Sequence, residues 1–357
     1  MIDNIIELSH AYGGTFYVRG GGGNTSCKDA TSLWIKPSGT TLATLTCESL
    51  VRMDRAKMAQ LYDYVASPDA TQREADVKDL MAASVFPDSS GRPSVEAPLH
   101  DSFPYIYVVH THPARVNGLT CGTQGPAECE RLFPDALWVP YVDPGYTLCM
   151  VVREAMMKYT ERTGACPKLV VLENHGIFVA ADSVQEIHDL YAHVMDTLGA
   201  EYSAANTSES LTLAGDSPDA ETINATTAAI QSALGPEQAA YVAAHAPFHV
   251  PQGPLTPDHI VYSKSYALEC DTVDATAIEA FIAANGYPPS VVRTAAGVFG
   301  VGSTEKDAAL AVEFAEDGSI VEQLTAKYGG MRYLTDASRE FIENWEVESY
   351  RKQISTE

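Results

Sequence analysis

The stretch from Leu169 to Leu198 constrains the fold more than any other part of the sequence. Leu169–Leu172 and Ile177–Ala180 are apolar runs separated by Glu173-Asn174-His175-Gly176, the pattern of two strands around a tight turn. Ser183-Val184-Gln185-Glu186 has the spacing of a capping box. The helix it opens places Ile187, Leu190, Tyr191, Val194 and Leu198 on one face, as a core-facing amphipathic helix does. His188 and His193 fall on the same helix as ordinary helix residues. Strands followed by a helix that packs back on them require layers in which sheet and helices share a core, an α/β or α+β fold. Ser32–Ile35 and Tyr105–His112 read as further strands, the second dense in Tyr, Ile and Val.

The polar stretch Ser203–Asp219 reads as a linker. It divides the chain into a first domain over 1–205 and a smaller second domain over 220–357. The second begins with a helical pattern from Ala220 to Ala244. Ser290–Gly302 follows as strand–turn–strand, with the glycine-rich Gly297–Gly302 as the turn. Helices are expected from Thr304 and over Ala337–Tyr350. No internal repeat is evident. With 357 residues, 45% of them hydrophobic, the chain can bury more than one core.

No apolar run reaches eighteen residues, so no membrane span is expected. The start, Met1-Ile-Asp-Asn-Ile-Ile-Glu, lacks the basic region of a signal peptide. Seven cysteines without a C-x-x-C pair predict a reduced, cytoplasmic protein whose thiols pack. A net charge of −24 repels nucleic acid and anionic membranes. An anionic small substrate would have to be drawn in locally.

His110-Thr111-His112 ends a predicted strand. Residues i and i+2 share a face, so both imidazoles can reach one ion at about 2.0–2.1 Å. Alone, the pair also fits two polar residues at a strand end. His175, in the turn between two strands, is the best third ligand. Three imidazoles leave a coordination position open, which is the arrangement of a catalytic zinc site. Such an ion, without sulfur ligands, polarises a carbonyl. Glu96, in Pro93-Ser94-Val95-Glu96-Ala97-Pro98-Leu99-His100, is a candidate acid/base if it lies near the metal. His100, four residues on, either positions Glu96 from the same helix face or is a buried, hydrogen-bonded histidine.

Two segments could hold an anion. Arg19-Gly20-Gly21-Gly22-Gly23-Asn24-Thr25-Ser26 lets backbone approach a ligand and supplies donors. Lys36-Pro37-Ser38-Gly39-Thr40-Thr41 adds a cation, hydroxyls and a glycine in a second turn. Neither is a P-loop or a dinucleotide fingerprint, and each alone is compatible with a plain turn. Together they suggest a phosphate cradle.

These motifs occur in a familiar order. Gly-Gly-Asn-Thr-Ser (Gly22–Ser26), Lys-Pro-Ser-Gly (Lys36–Gly39), Pro-Ser-x-Glu (Pro93–Glu96), His-Thr-His-Pro (His110–Pro113) and Glu-Asn-His-Gly (Glu173–Gly176) resemble the class II aldolase/adducin family over about the first 200 residues. The chain looks most like the aldolase portion of the bifunctional rhamnulose-phosphate aldolase/dehydrogenases. Gly253–Ile260 and Glu346–Arg351 resemble the segment that follows it there. No nicotinamide-binding motif is expected here.

The resemblance implies a three-layer α/β/α domain with a smaller C-terminal α+β part, assembled as a homotetramer. It implies one zinc ion per chain on His110, His112 and His175, with Glu96 as catalytic acid/base. Gly23, Asn24, Ser38, Gly39 and Ser94 match the phosphate-binding positions. Val95 stands where many members have a second serine, and the interval from Glu96 to His110 is shorter than usual. Tyr141 or Tyr146 falls where the family supplies a tyrosine near the substrate. The implied activity is retro-aldol cleavage of a ketose 1-phosphate to dihydroxyacetone phosphate and an aldehyde. Alternatives on the same scaffold are an epimerase, a dehydratase, a decarboxylase or a non-catalytic adducin-like protein.

Overall fold

Strands β4 (Tyr107–Thr111), β6 (Leu169–Leu172) and β7 (Gly176–Ala181) are buried along their whole length. A strand buried at both its odd and its even positions must be covered on both faces. A computed structural model, describing residues 1–67 and 69–345, shows how this is achieved. The chain forms two compact units: Met1–Val116 with Pro126–Leu198, and Asn117–Gly125 with the chain from Gly199 onward.

In the first unit a seven-stranded sheet has the order β3-β2-β1-β4-β7-β6-β5. Its remaining strands are β1 (Asn24–Lys28), β2 (Ser32–Ile35), β3 (Val51–Asp54) and β5 (Leu137–Val139). All neighbours are antiparallel except β5 and β6. Helices α1 (Ile2–Ala11), α2 (Arg55–Met58), α3 (Ala70–Ser84), α4 (Ala97–Ser102), α5 (Ala114–Thr120), α6 (Gly125–Leu132), α7 (Tyr146–Thr163) and α8 (Val184–Ala204) complete the order of elements to this point. On one face, Val108, Val170, Phe178 and Ala180 pack with Leu99 of α4, with Phe103 just after it and with Leu148, Val152 and Met156 of α7. On the other, α1 lies against β1 and β4, and Tyr191 of α8 bonds the Thr111 hydroxyl at 2.8 Å. This is the expected three-layer α/β/α arrangement. Glu186 N donates to Ser183 Oγ at 3.2 Å, so the predicted cap opens α8.

The second unit contains α9 (Ala220–Leu234), β8 (Tyr241–His245), α10 (Pro257–Tyr262), β9 (Leu268–Glu269), α11 (Ala275–Asn285), β10 (Val291–Arg293), β11 (Val298–Gly302), α12 (Glu305–Thr325) and α13 (Asp336–Asn344). Its sheet order is β8-β11-β10-β9. Two expectations are corrected. The helix expected to reach Ala244 stops at Leu234, where Gly235 and Pro236 break it and free Tyr241–His245 for a strand. Of the glycine-rich Gly297–Gly302 segment, only Gly297 belongs to the turn; Val298–Gly302 is strand. The predicted helix over Ala337–Tyr350 is present as α13, and its part beyond Trp345 lies outside the described residues, as does Glu346–Arg351.

A third correction concerns repetition. Strands β8, β11, β10 and β9 have the order and relative directions of β4, β7, β6 and β5. A helix joins the parallel pair in each case, α11 or α7, and a 21-residue helix follows β11 and β7 alike. The registers agree as well. Tyr107 pairs with Ala181 and Tyr241 with Gly302; His110 pairs with Phe178 and Ala244 with Phe299; Leu137 pairs with Val170 and Leu268 with Val292. Tyr-Val-Val-His-Thr-His-Pro at 107–113 therefore corresponds to Tyr-Val-Ala-Ala-His-Ala-Pro at 241–247. Ala244 and Ala246 stand where the first unit has His110 and His112. Thr294 N donates to Gly297 O, so the tip of the β10–β11 turn is Ala295-Ala296, one residue shorter than Glu173-Asn174-His175, and it has no counterpart of His175. No helix among the described residues is long and apolar enough to cross a membrane. All seven cysteines are free thiols.

Candidate active site

His110 and His112 lie at the end of β4, and His175 lies in the β6–β7 turn beside it. Asn174 carries that turn in the left-handed region, at φ 50°, which asparagine tolerates better than most residues. Gly176 follows because a Cβ there would stand 2.7 Å from Cδ2 of the His112 ring. The turn can thus close on β4 only with glycine at this position.

The ligand nitrogens of the three histidines lie within 4.8 Å of one another. His110 Nδ1 is 2.8 Å from the Ile177 carbonyl. A carbonyl only accepts, so Nδ1 carries the proton and Nε2 presents its lone pair to the cluster. That Nε2 is 2.9 Å from Nε2 of His112. Glu96 Oε1, 3.5 Å from His110 Nε2 and 3.9 Å from His175 Nε2, is buried and makes no hydrogen bond. Lone pairs of imidazole and carboxylate converging in a buried place fit a cation between them. A nitrogen and oxygen donor set without thiolate suits zinc.

Glu96 is the N-cap residue of α4. Its other oxygen, Oε2, accepts from Asn24 Nδ2 at 2.6 Å. The second amide hydrogen of Asn24 goes to Ser94 Oγ at 3.2 Å, and Asn24 Oδ1 accepts from His100 Nε2. His100 is fully buried. Burial first, then neighbouring His110 and Lys28, hold it well below the usual histidine range. It is neutral, so Nδ1 accepts from Ser26 Oγ at 2.7 Å. Both readings of His100 from the sequence therefore meet in one residue: it is buried and hydrogen-bonded, and it is linked to Glu96. Asn24, which the resemblance places at the phosphate, has both side-chain hydrogens committed to Ser94 and Glu96.

The two glycine-bearing turns meet the Glu96 segment. Lys36 Nζ donates to Gly21 O at 3.3 Å and Thr40 O at 2.6 Å. Ser38 N donates to Arg92 O at 2.9 Å, and Ser94 N to Lys36 O at 3.3 Å. Gly23, at φ 62°, brings the first loop against β4; a Cβ there would stand 2.7 Å from His110 O. Gly23, Asn24, Ser38, Gly39 and Ser94 thus belong to segments tied together beside Glu96. Tyr146 is buried in the core, its hydroxyl bonded to Leu61 O at 3.1 Å and Tyr64 O at 3.2 Å.

Residues 3–202 match the Class II Aldolase and Adducin N-terminal domain. The chain belongs to the class II aldolase and adducin family. A curated relative, "Uncharacterized oxidoreductase YuxG" of Bacillus subtilis, is 29% identical over 167 residues, 44% of this chain and 23% of that protein. The chain thus matches about a quarter of that relative's length. The N-terminal class II aldolase domain of a conserved Thermoplasma acidophilum protein is 22% identical, with TM-score 0.48 over 56% of this chain and 92% of that one. L-fuculose-1-phosphate aldolase from Thermus thermophilus is 14% identical, with TM-score 0.39 over 57% of this chain and 94% of that one.

In this class II aldolase domain, Lys28 is not evident as a site residue in the sequence, and Ser26, expected as a donor to an anion, bonds His100 instead. The signal was period two: Asn24, Ser26 and Lys28 lie on one face of β1, and all three reach His100. Lys28 Nζ donates to the His100 carbonyl at 2.5 Å. Burial pulls the Lys28 ammonium down to about 7. The unfolded chain keeps that proton until about pH 10.4. Between these values the unfolded state binds more protons, so this group makes stability rise with pH. Urea unfolding at pH 7 and pH 9 should show the rise, and Lys28→Met should flatten it. An equal rise in the variant would reject this origin.

Proposed function

We propose that the first unit is a zinc-dependent lyase that cleaves a ketose 1-phosphate into dihydroxyacetone phosphate and an aldehyde. The observation that carries this reading is the cluster of three histidine nitrogens, two of which, on His110 and His175, face the unbonded oxygen of Glu96, beside two tied glycine turns. His110, His112 and His175 would hold the ion. When bound, it supplies a Lewis acid for a carbonyl and an adjacent hydroxyl oxygen. Glu96 then moves the proton: as C3–C4 breaks, the C4 hydroxyl gives up its proton and becomes the aldehyde carbonyl, while Glu96 delivers a proton to the electron-rich C3; the reverse direction undoes both transfers. Its Oε2 stays on Asn24 while Oε1 faces the reacting atoms. The loops around Gly23, Ser38, Gly39 and Ser94 would seat the phosphate with directed donors, because at −24 the global field opposes an anion. A homotetramer of such chains is part of the proposal.

The test is a screen of phosphorylated ketoses for aldehyde release, with and without added zinc. Release only from phosphorylated sugars and only with metal is expected. Epimerisation without aldehyde, or loss of water or carbon dioxide, would replace the lyase assignment. Elemental analysis should find about one zinc per chain, and His110→Ala should remove it; unchanged metal content in that variant would reject the ligand set. Val95→Ser should lower KM for the phosphorylated sugar a few-fold with kcat unchanged, since a contact remote from the breaking bond binds ground and transition states alike. An unchanged KM would place Val95 away from the phosphate.

A further inference from the structure

We propose that His100 is a positioning residue that aims the Glu96 carboxylate through Asn24, and that β1 exists in its polar form to hold that histidine. The inference rests on the reading of Glu96 as proton carrier and adds what keeps it in place. Three alternate residues of one strand grip a single side chain and its backbone. Ser26 Oγ meets Nδ1 at 2.7 Å, Lys28 Nζ meets the carbonyl at 2.5 Å, and Asn24 Oδ1 meets Nε2. Polar residues along a fully buried strand are costly unless each finds a partner; Thr25, on the other face, meets Ser9, while Asn24, Ser26 and Lys28 all find His100.

The direction of every bond follows from the partners. An amide oxygen only accepts, so His100 donates through Nε2 and fixes which end of Asn24 faces Glu96. The amide nitrogen then has to point at Ser94 Oγ and Glu96 Oε2. With Oε2 held, Oε1 remains for the cluster of His110 and His175. Asn24 turned by half a rotation would put its oxygen against a carboxylate oxygen, and the repulsion would swing Glu96 away. His100 therefore acts at a distance: its backbone N–H donates to the Glu96 carbonyl at 3.0 Å as part of α4, but its ring bonds Asn24 and Ser26 rather than the Glu96 carboxylate, and through Asn24 it selects the one amide orientation in which that carboxylate is seated.

The test compares His100→Leu, which removes the donor, with His100→Gln, whose side-chain amide can still donate to Asn24 Oδ1. Each is assayed on the ketose 1-phosphate cleaved fastest by the native enzyme, alongside metal content and Tm. His100→Leu should lower kcat about 10–100-fold, the scale of a misplaced catalytic group, with KM within two-fold and metal content unchanged. His100→Gln should recover at least ten-fold of the loss. A crystal structure of His100→Leu should show the Glu96 carboxylate displaced from Asn24. Unchanged kcat, or loss of metal and Tm with no recovery in His100→Gln, would overturn the proposal. If His100→Leu does not fold, Ser26→Ala decides: a several-fold fall in kcat at constant KM supports it, and no fall overturns it. Glu96→Gln in the same series separates the two claims. Inactive Glu96→Gln beside fully active His100→Leu rejects only the positioning role, whereas fully active Glu96→Gln rejects the proton-carrier reading itself.

Discussion

Glu96→Gln should lower kcat by about 10²–10⁴-fold, the usual worth of a general acid–base group, and leave the metal in place. The amide has the shape of the carboxylate, and its oxygen can still accept from Asn24 Nδ2, as Oε2 does at 2.6 Å. Its nitrogen would then take the place of Oε1 near His110 and His175. That nitrogen cannot take up or release a proton at neutral pH, so the step fails while the packing survives. KM should change little, because the phosphate loops are untouched. Steady-state kinetics with metal analysis of the same preparation measures both quantities. Native kcat in the metal-loaded variant would remove Glu96 from the chemistry.

Phe178→Ala should destabilise the protein by about 3–5 kcal/mol, the range for truncating a buried phenylalanine. Phe178 is fully buried in β7 and shared between core and site. Its ring stacks on His110, with centroids 3.9 Å apart and planes 8° from parallel. It also meets His100 edge-on at 5.4 Å and Phe103 at 5.8 Å. Removing it leaves a cavity beneath the imidazole whose Nδ1 is fixed by Ile177, so zinc affinity should fall with stability. Phe299 is the internal control: it is fully buried at the same register of the second sheet, opposite Ala244. Phe299→Ala should cost a similar amount of stability and leave zinc affinity unchanged. Urea unfolding and zinc titration of both variants measure the pair. Equal zinc affinity in native protein and Phe178→Ala would show that the ring does not hold His110.

The parts of this chain legible from sequence are those where one short pattern has one physical solution. Two apolar runs around Glu173-Asn174-His175-Gly176 can only be strands meeting at a turn, and that turn brings His175 to His110 and His112. Ser183 likewise opens α8 by accepting from Glu186 N, while the Glu186 side chain pairs with Lys168 instead of completing the expected box. The misjudged helix end at Leu234 followed alanine-rich sequence whose propensity runs on through Ala239-Ala240 and Ala243-Ala244; pairing of Tyr241–His245 with β11 overrode it. The link between His100 and Glu96 was half visible as an i,i+4 spacing, but its path through Asn24 joins residues 76 apart in sequence. The repeat was hidden because it preserves register rather than side chains. Only Tyr107, Val108 and Pro113 recur unchanged, at Tyr241, Val242 and Pro247, in the 107–113 and 241–247 segments.

That repeat makes tolerance to substitution unequal between equivalent places. At position 110 an exchange is judged by chemistry, since no other side chain offers the same nitrogen at the same height above Phe178. At position 244 the same exchange is judged by volume alone, against a half-buried alanine beside Phe299. Ala295 is exposed and its turn short, so that corner is free to drift in length and composition while its counterpart at Asn174-His175-Gly176 is not. One layout, written twice, thus carries two different mutational spectra.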